Sequence, residues 1–174
     1  MRYFKFIILI IIFIINFLFI YSSENNTVFE VKDIKLSLPK SWNIEKIPSN
    51  FEKNTVGLFS NTEMQNARIL LLRYGGILDY DAVRFKMLMN LQASYPISQA
   101  MIKKPKRIKI DGARNARYEL WQGTLNAGGN QVSLVSPVLI ARVNGSWFIF
   151  MGFGGTAVAE TLENDFMEII QTIQ

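Results

Sequence analysis

The sequence predicts an α+β domain, a mainly antiparallel sheet with helices packed on its faces. Three observations carry this reading. The apolar pattern runs strands, helix, strands, helix, and tight Gly/Asn turns join neighbouring strands, above all Asn144-Gly145. The run Trp147-Phe148-Ile149-Phe150-Met151-Gly152-Phe153 is apolar at both alternating sets of positions, so both sides of the sheet must be covered at that strand. The closing segment places Leu162, Phe166, Ile169, Ile170 and Ile173 on one stripe of an amphipathic helix.

Taken in order, the chain opens on a short basic start, Met1 to Lys5, followed by fifteen residues from Phe6 to Ile20 that are apolar apart from Asn16. That length suits the apolar core of a secretory signal and falls short of the roughly 20 residues that span a bilayer core. Two readings follow: residues 1–22 are a signal peptide cut after Ser22 or Ser23, or residues 6–20 stay as an N-terminal membrane anchor. Either way the chain is expected to be exported, to a periplasmic or extracellular site. Residues 27–174 then read as a single globular domain, and removal of the signal leaves 152 residues, a common size for one core.

Val28 to Val31 reads as a first short strand. Ile34, Leu36 and Leu38 alternate with Lys35 and Ser37, the period of a half-buried strand, and Pro39 ends it because proline cannot donate to a ladder. Trp42 follows a turn, and Asn43 to Asn54, polar with Pro48 inside it, reads as a loop or edge segment. Val56 to Phe59 and Arg68 to Tyr74 read as a hairpin-like pair. Gly75-Gly76 breaks the second of these, and Asp79 is placed to cap a helix that ends before Pro96 and sets Tyr80, Val83, Met87 and Leu91 on one face. Ile108 with Ile110 and Tyr118 with Leu120 mark two further strands across the turn Asp111-Gly112, and Asn126 to Asn130 reads as a loop. Asn144-Gly145 joins a strand near Val132 to Val143 to one from Ser146 to Phe153, because a type I′ turn needs positive φ at both central residues. In the closing helix, Thr156 reads as the cap, and Glu160, Glu163 and Asn164 fall off the apolar stripe and are expected to face water.

Composition excludes several chemistries. The chain has no histidine and no cysteine. That removes Ser-His-Asp and Cys-His hydrolysis, thiol redox chemistry and the commonest zinc ligands, and it means that an exported fold relies on core packing without disulfides. The net charge of +5 falls to about +3 once Arg2 and Lys5 leave with a signal, too mild to imply nucleic acid.

These residues together resemble a known family. An alternating strand runs into Leu38-Pro39-x-x-Trp42, a middle helix follows, the turn Asp111-Gly112 feeds a strand containing Tyr118, and a hairpin Asn144-Gly145-x-Trp147 precedes a final helix. The pattern, from Val28 to Ile173, is similar to the PsbP-like domains, a group that includes the photosystem II extrinsic protein PsbP and the bacterial periplasmic protein DcrB. The resemblance implies an α/β/α sandwich around an antiparallel sheet and a non-enzymatic accessory, binding or assembly role. It carries no catalytic residues over.

Few residues stand out as sites. Gly152 to Ala157 matches G-x-G-x-x-A between a strand and a helix, but only seventeen residues follow, too few for the second strand and ribose-binding acid of a dinucleotide fold. It reads as a turn. Asp79 and Asp81 diverge on a helix and read as capping residues. Lys103, Lys104, Lys106, Arg107 and Lys109 form the one dense charge run, either a solvated edge strand, where lysines discourage aggregation, or a surface for an anionic lipid, glycan or acidic protein. No aromatic residue interleaves it, as binding of a nucleic-acid strand would favour. Trp121 shares its strand with Tyr118 and Leu120 on the opposite face, and reads either as helix-covered packing or as a binding surface.

The expectation is therefore an exported accessory or binding protein of the cell envelope, not an enzyme, with no cofactor and no metal site. Its expected partner is an envelope protein or an anionic surface, met through Trp121 and the Lys103 to Lys109 run. A small-ligand or ion carrier is the alternative, and a carboxylate-based glycan hydrolase the third reading.

Overall fold

A computed structural model describes residues 26–51, 53–94, 97–127 and 130–174. The predicted export segment lies outside the described residues, as do Pro96 and the Gly128-Gly129 pair. In chain order the elements are β1 (Thr27–Val31), β2 (Ile34–Leu38), β3 (Trp42–Ile44), β4 (Thr55–Asn61), β5 (Arg68–Tyr74), α1 (Tyr80–Ser94), β6 (Ile97–Arg107), β7 (Arg114–Ala127), β8 (Asn130–Val143), β9 (Ser146–Gly155), a 3-10 turn (Thr156–Val158) and α2 (Ala159–Gln171). Among the described residues no helix is long and apolar enough to cross a membrane.

Strands β3 to β9 form one seven-stranded sheet in the order β3-β4-β5-β9-β8-β7-β6, with every pairing antiparallel. β1 and β2 form a separate hairpin. The arrangement is the predicted α+β sandwich. α1 carries the chain from β5 to the far edge, and the last strand, β9, inserts between β5 and β8. Its residues explain why it sits centrally: Phe148 and Phe150 face one layer, Trp147, Ile149 and Met151 the other, and all five are buried.

On the first face lie α2 and the β1–β2 hairpin. Leu162, Phe166, Ile169, Ile170 and Ile173 are buried there with Ile34, Leu36 and Leu38, as the helical stripe and the period-two strand predict. The second face is covered by α1, where Tyr80, Val83 and Met87 pack on Leu72, Tyr74, Val138 and Ile140. Asp79 caps α1, its Oδ1 accepting from the Ala82 N–H at 2.7 Å. Trp147 is tied to this layer by its indole N–H, which donates to the Leu78 carbonyl at 2.8 Å.

The Asn144-Gly145 turn has positive φ at both residues, 47° and 87°, as its sequence requires. Three features differ from expectation. The strand expected at Ile108 and Ile110 lies earlier: β6 covers Ile97–Arg107, and Ile110 is buried from a loop. Its lysines are solvated edge residues and show no apolar alternation to read. The segment Asn43 to Asn54, expected as a loop or edge segment, does supply part of a short edge strand, β3, that begins at Trp42. The expected Asn126 to Asn130 loop is narrower, since β7 runs to Ala127 and β8 starts at Asn130. Thr156 caps no helix, because β9 continues to Gly155 and a 3-10 turn with no side-chain cap leads into α2.

The chain's last residues are clipped to β2. The Lys35 N–H donates to the Gln174 carbonyl at 3.1 Å, the Gln174 N–H returns to the Lys35 carbonyl at 2.9 Å, and the Ser37 N–H donates to Thr172 Oγ1 at 2.9 Å. Gly112 makes room for this clip, since a Cβ there would sit 2.3 Å from the Ile173 carbonyl oxygen. Replacing Gly112 by Ala is expected to cost about 1–3 kcal/mol by forcing backbone apart. Asp111→Ala, one residue away and exposed, is expected to stay within about 0.5 kcal/mol. Urea unfolding of the two variants checks the contrast.

Candidate functional site

Among the described residues β6 is an edge strand, with β7 on one side and no strand on the other. Its pairing slips twice, between Met101 and Lys103 and between Lys103 and Lys106, so Pro105 falls in an irregular stretch where its missing N–H breaks no ladder. The lysines, the proline and the bulges together spoil the regular row of backbone donors and acceptors that another strand would need. The edge is therefore a side-chain surface.

The basic run does not act as one patch. Lys103 opposes Leu120 and turns toward α2, where its ammonium pairs with Glu163, and the Tyr118 hydroxyl donates to the same carboxylate oxygen at 2.7 Å. Glu163, expected to face water, is held by this network. Burial pushes its carboxyl up, but the bonds from Lys103 and Tyr118 outweigh that and hold it below the usual carboxylate value. The Tyr118 phenol is pushed well up, first by burial and then by Glu163. Lys104, Lys106 and Arg107 are exposed and make no ion pair among the described residues. Lys109 lies beyond the strand, 3.7 Å from an equally exposed Asp111, a contact that water screens.

Trp121 sits on the next strand, directly opposite Met101, and Arg107 opposes Arg117. Directly opposed residues share a face, so Arg107, Arg117, Glu119 and Trp121 all belong to the α1 side of the sheet border. Trp121 is half-buried at the margin of the α1 layer. The Arg84 guanidinium from α1 lies 5.6 Å from its ring and grips the fully buried Glu119 with both forks, Nε to Oε1 at 3.1 Å and Nη2 to Oε2 at 2.9 Å. Arg117 stacks 4.1 Å over the ring of Tyr80, whose hydroxyl is pushed up to about 12, chiefly by burial and next by Glu119. The indole N–H of Trp121 and the hydroxyl of Tyr80 are buried without a hydrogen-bond partner among the described residues. The structure thus brings Trp121 and Arg107 to one border and takes Lys103 and Lys106, opposite Leu120 and Tyr118, to the other face.

Neither the Arg84–Glu119 pair nor a cleft at the Asn144 end of the sheet is signalled by any spacing or motif in the chain. That cleft, about 770 Å³, lies between the β6–β7 loop and the β8–β9 turn and is lined by Asp111, Arg114, Asn115, Arg142, Asn144 and Gln174 among others. Only the register of β7 against β8 brings Arg114 and Arg142 together. The G-x-G-x-x-A run is a packing feature, since a Cβ at Gly152 would meet Pro137 Cγ at 2.7 Å and one at Gly154 would meet Leu162 at 2.8 Å. No group of three Asp or Glu residues among the described residues is placed to hold a metal ion.

Two outcomes follow from these networks. Arg84→Met leaves Glu119 buried and unpaired and is expected to cost about 3–5 kcal/mol, most of it recovered in the double variant Arg84→Met/Glu119→Leu. Chemical unfolding of both checks this. Glu163 has a lowered folded-state pKa, so its contribution is present above the ordinary value of 4.5 and is lost as pH falls through the lower folded value. Glu163→Gln is expected to remove that part of the acid-side loss of stability, read as a flatter curve of melting temperature against pH below 4.5.

No family model matches the chain, and no curated protein does in sequence. Solved structures match its fold. Cyanobacterial PsbP (CyanoP) from Synechocystis superimposes with a TM-score of 0.61 at 10% identity, covering 86% of this chain and 92% of that one. A Ran-binding protein of Saccharomyces cerevisiae gives 0.56 at 10% identity over 87% and 96%. LpqN, involved in cell envelope biogenesis of Mycobacterium tuberculosis, gives 0.50 at 14% identity over 90% and 94%. The resemblance read from Leu38-Pro39, Trp42, Asp111-Gly112 and the Asn144-Gly145 hairpin is borne out at the level of architecture: the chain has the PsbP-like fold.

Proposed function

We propose that this chain is an exported, non-enzymatic accessory domain of the cell envelope that binds another macromolecule through the β6–β7 border of its sheet. The observation that carries the reading is a cation beside an aromatic anchor on one face of the border: Arg107, exposed on β6 and in no ion pair among the described residues, shares the α1 side with Trp121, half-buried on the neighbouring strand. Lys104 and Lys106 are exposed along the same edge, Lys106 opposite Tyr118 and so on the α2 side. Charges on such a rim steer a partner of opposite sign and set its orientation, while a tryptophan supplies contact area at low entropic cost. The irregular edge argues that the partner reads side chains and does not add a strand.

The basic start and the apolar run from Phe6 to Ile20 support export. Two neighbours of the same fold support the role: LpqN is involved in cell envelope biogenesis, and the yeast protein binds Ran. The partner suggested by the charge is an acidic envelope protein.

The test is capture in cross-linked intact cells with a C-terminally tagged chain, comparing wild type with Lys104→Gln/Lys106→Gln/Arg107→Gln and with Trp121→Ala. The expected result is one recurrent envelope protein whose yield falls severalfold in each variant and falls with salt for the wild type, the triple Gln variant melting as the wild type does and Trp121→Ala melting lower but folded at the temperature of capture. Equal capture by both variants would remove this border from the account. The intact mass of the bait distinguishes cleavage after Ser22 or Ser23 from retention of residues 6–20.

A further inference from the structure

The cleft at the Asn144 end holds an arrangement that costs the fold stability. Arg114 of β7 and Arg142 of β8 are direct register partners, and like charges placed opposite each other across an antiparallel pair repel. Neither makes an ion pair among the described residues. Arg142 donates from Nε to the Gly145 carbonyl at 3.3 Å, which fixes its stem and leaves its charge unmatched. Arg107 opposite Arg117 repeats the like-charge pairing on the adjacent strands, and Lys109 adds a further cation. Against these stand two nearby acidic or acceptor groups. Asp111 lies in the lining but is 92% exposed and faces Lys109, and the main-chain end at Gln174, which accepts from the Lys35 N–H, makes no ion pair with either arginine among the described residues.

The walls of the cleft are fixed. Asn144 Nδ2 donates to the Asp33 carbonyl at 2.9 Å, anchoring the β8–β9 turn to the β1–β2 hairpin. Gly112 abuts Ile173, and Gln174 is clipped to Lys35, so the opposite wall is held as well. A site whose walls are already ordered gives up little entropy on binding. Guanidinium forks match the oxygens of phosphate and carboxylate bidentately. At about 770 Å³ the cleft exceeds a bare anion and falls in the range of ordinary small-molecule sites. Its side chains and main-chain groups are polar, which suits a hydroxyl-rich body.

We propose that this cleft binds an oxyanion carried on a larger polar molecule, a sugar phosphate or sugar carboxylate, with Arg114 and Arg142 gripping the charged group. The inference deepens the reading of the domain as a binding protein, and it uses a different surface from the β6–β7 border, so either can fail alone.

The experiment is calorimetric titration of the full chain, at constant ionic strength, with glucose 1-phosphate, glucuronate and glucose, alongside melting temperatures. The expected result is saturable binding of at least one anionic sugar, a matching rise in melting temperature and no response to glucose. The stronger anionic arm identifies phosphate or carboxylate. Arg114→Gln/Arg142→Gln is expected to weaken binding at least tenfold while melting, without ligand, at or above the wild type, because repulsion is relieved. Arg114→Lys/Arg142→Lys, which keeps the charge and loses the fork, is expected to bind more weakly than wild type. No response to either anion, an equal response to glucose, undiminished binding by the Gln variant, or a large loss of its ligand-free stability would each overturn the proposal.

Discussion

β9 must be buried on both faces, and the rest of the architecture answers that requirement. Phe148 and Phe150 need the α2 and β1–β2 layer, and Trp147, Ile149 and Met151 need α1. Burying such side chains contributes about 1.5–3 kcal/mol each, so the five together rival the whole net stability of a small domain, about 5–15 kcal/mol. A single-layer fold of this sequence would leave half of them in water. β9 pairs locally with β8 across the Asn144-Gly145 turn and at long range with β5, so the middle of the sheet depends on a contact distant in sequence.

Close approaches then fix where the layers sit. Gly152 and Gly154 let Pro137, Phe166 and Leu162 lie directly on the β9 backbone, which keeps that strand running to Gly155 and pushes α2 to a later start. Gly112 and the Lys35–Gln174 bond pair do the same at the opposite end, drawing the β6–β7 loop, the hairpin and the chain end together. Candidate binding groups are set around this frame and not within its core. The β6–β7 border lies at the sheet edge, and the arginine cleft lies at the end opposite Thr27, where the described chain begins.

Much of this was legible because the determinants are local. The alternation of Ile34, Leu36 and Leu38, the Asn144-Gly145 turn and the Leu162 to Ile173 stripe each fit one element and no other. β6 is hard to place from sequence because an edge strand of lysines has no apolar period, while Ile108 and Ile110 mimic one from a loop. Nothing local to Glu163 signals its network, because its lysine partner lies sixty residues away, on a strand whose facing is set by two bulges. The site was readable only in parts. Trp121 and the lysine run stood out by residue type, but that Arg107 shares a border with Trp121 while Lys103 does not depends on β6–β7 register. The Arg114–Arg142 juxtaposition depends on register alone, and no spacing in the sequence announces it.

Native-state hydrogen exchange resolved by residue tests the central claim that β9 is the element on which the layers depend. Amides in the middle of β9 and those facing them in β5 and β8 are expected to exchange slowest, through global unfolding, while β6 and the β1–β2 hairpin open at lower free energy. Exchange from β9 as fast as from β6 would contradict it, and would place the organising core in some other pair of strands.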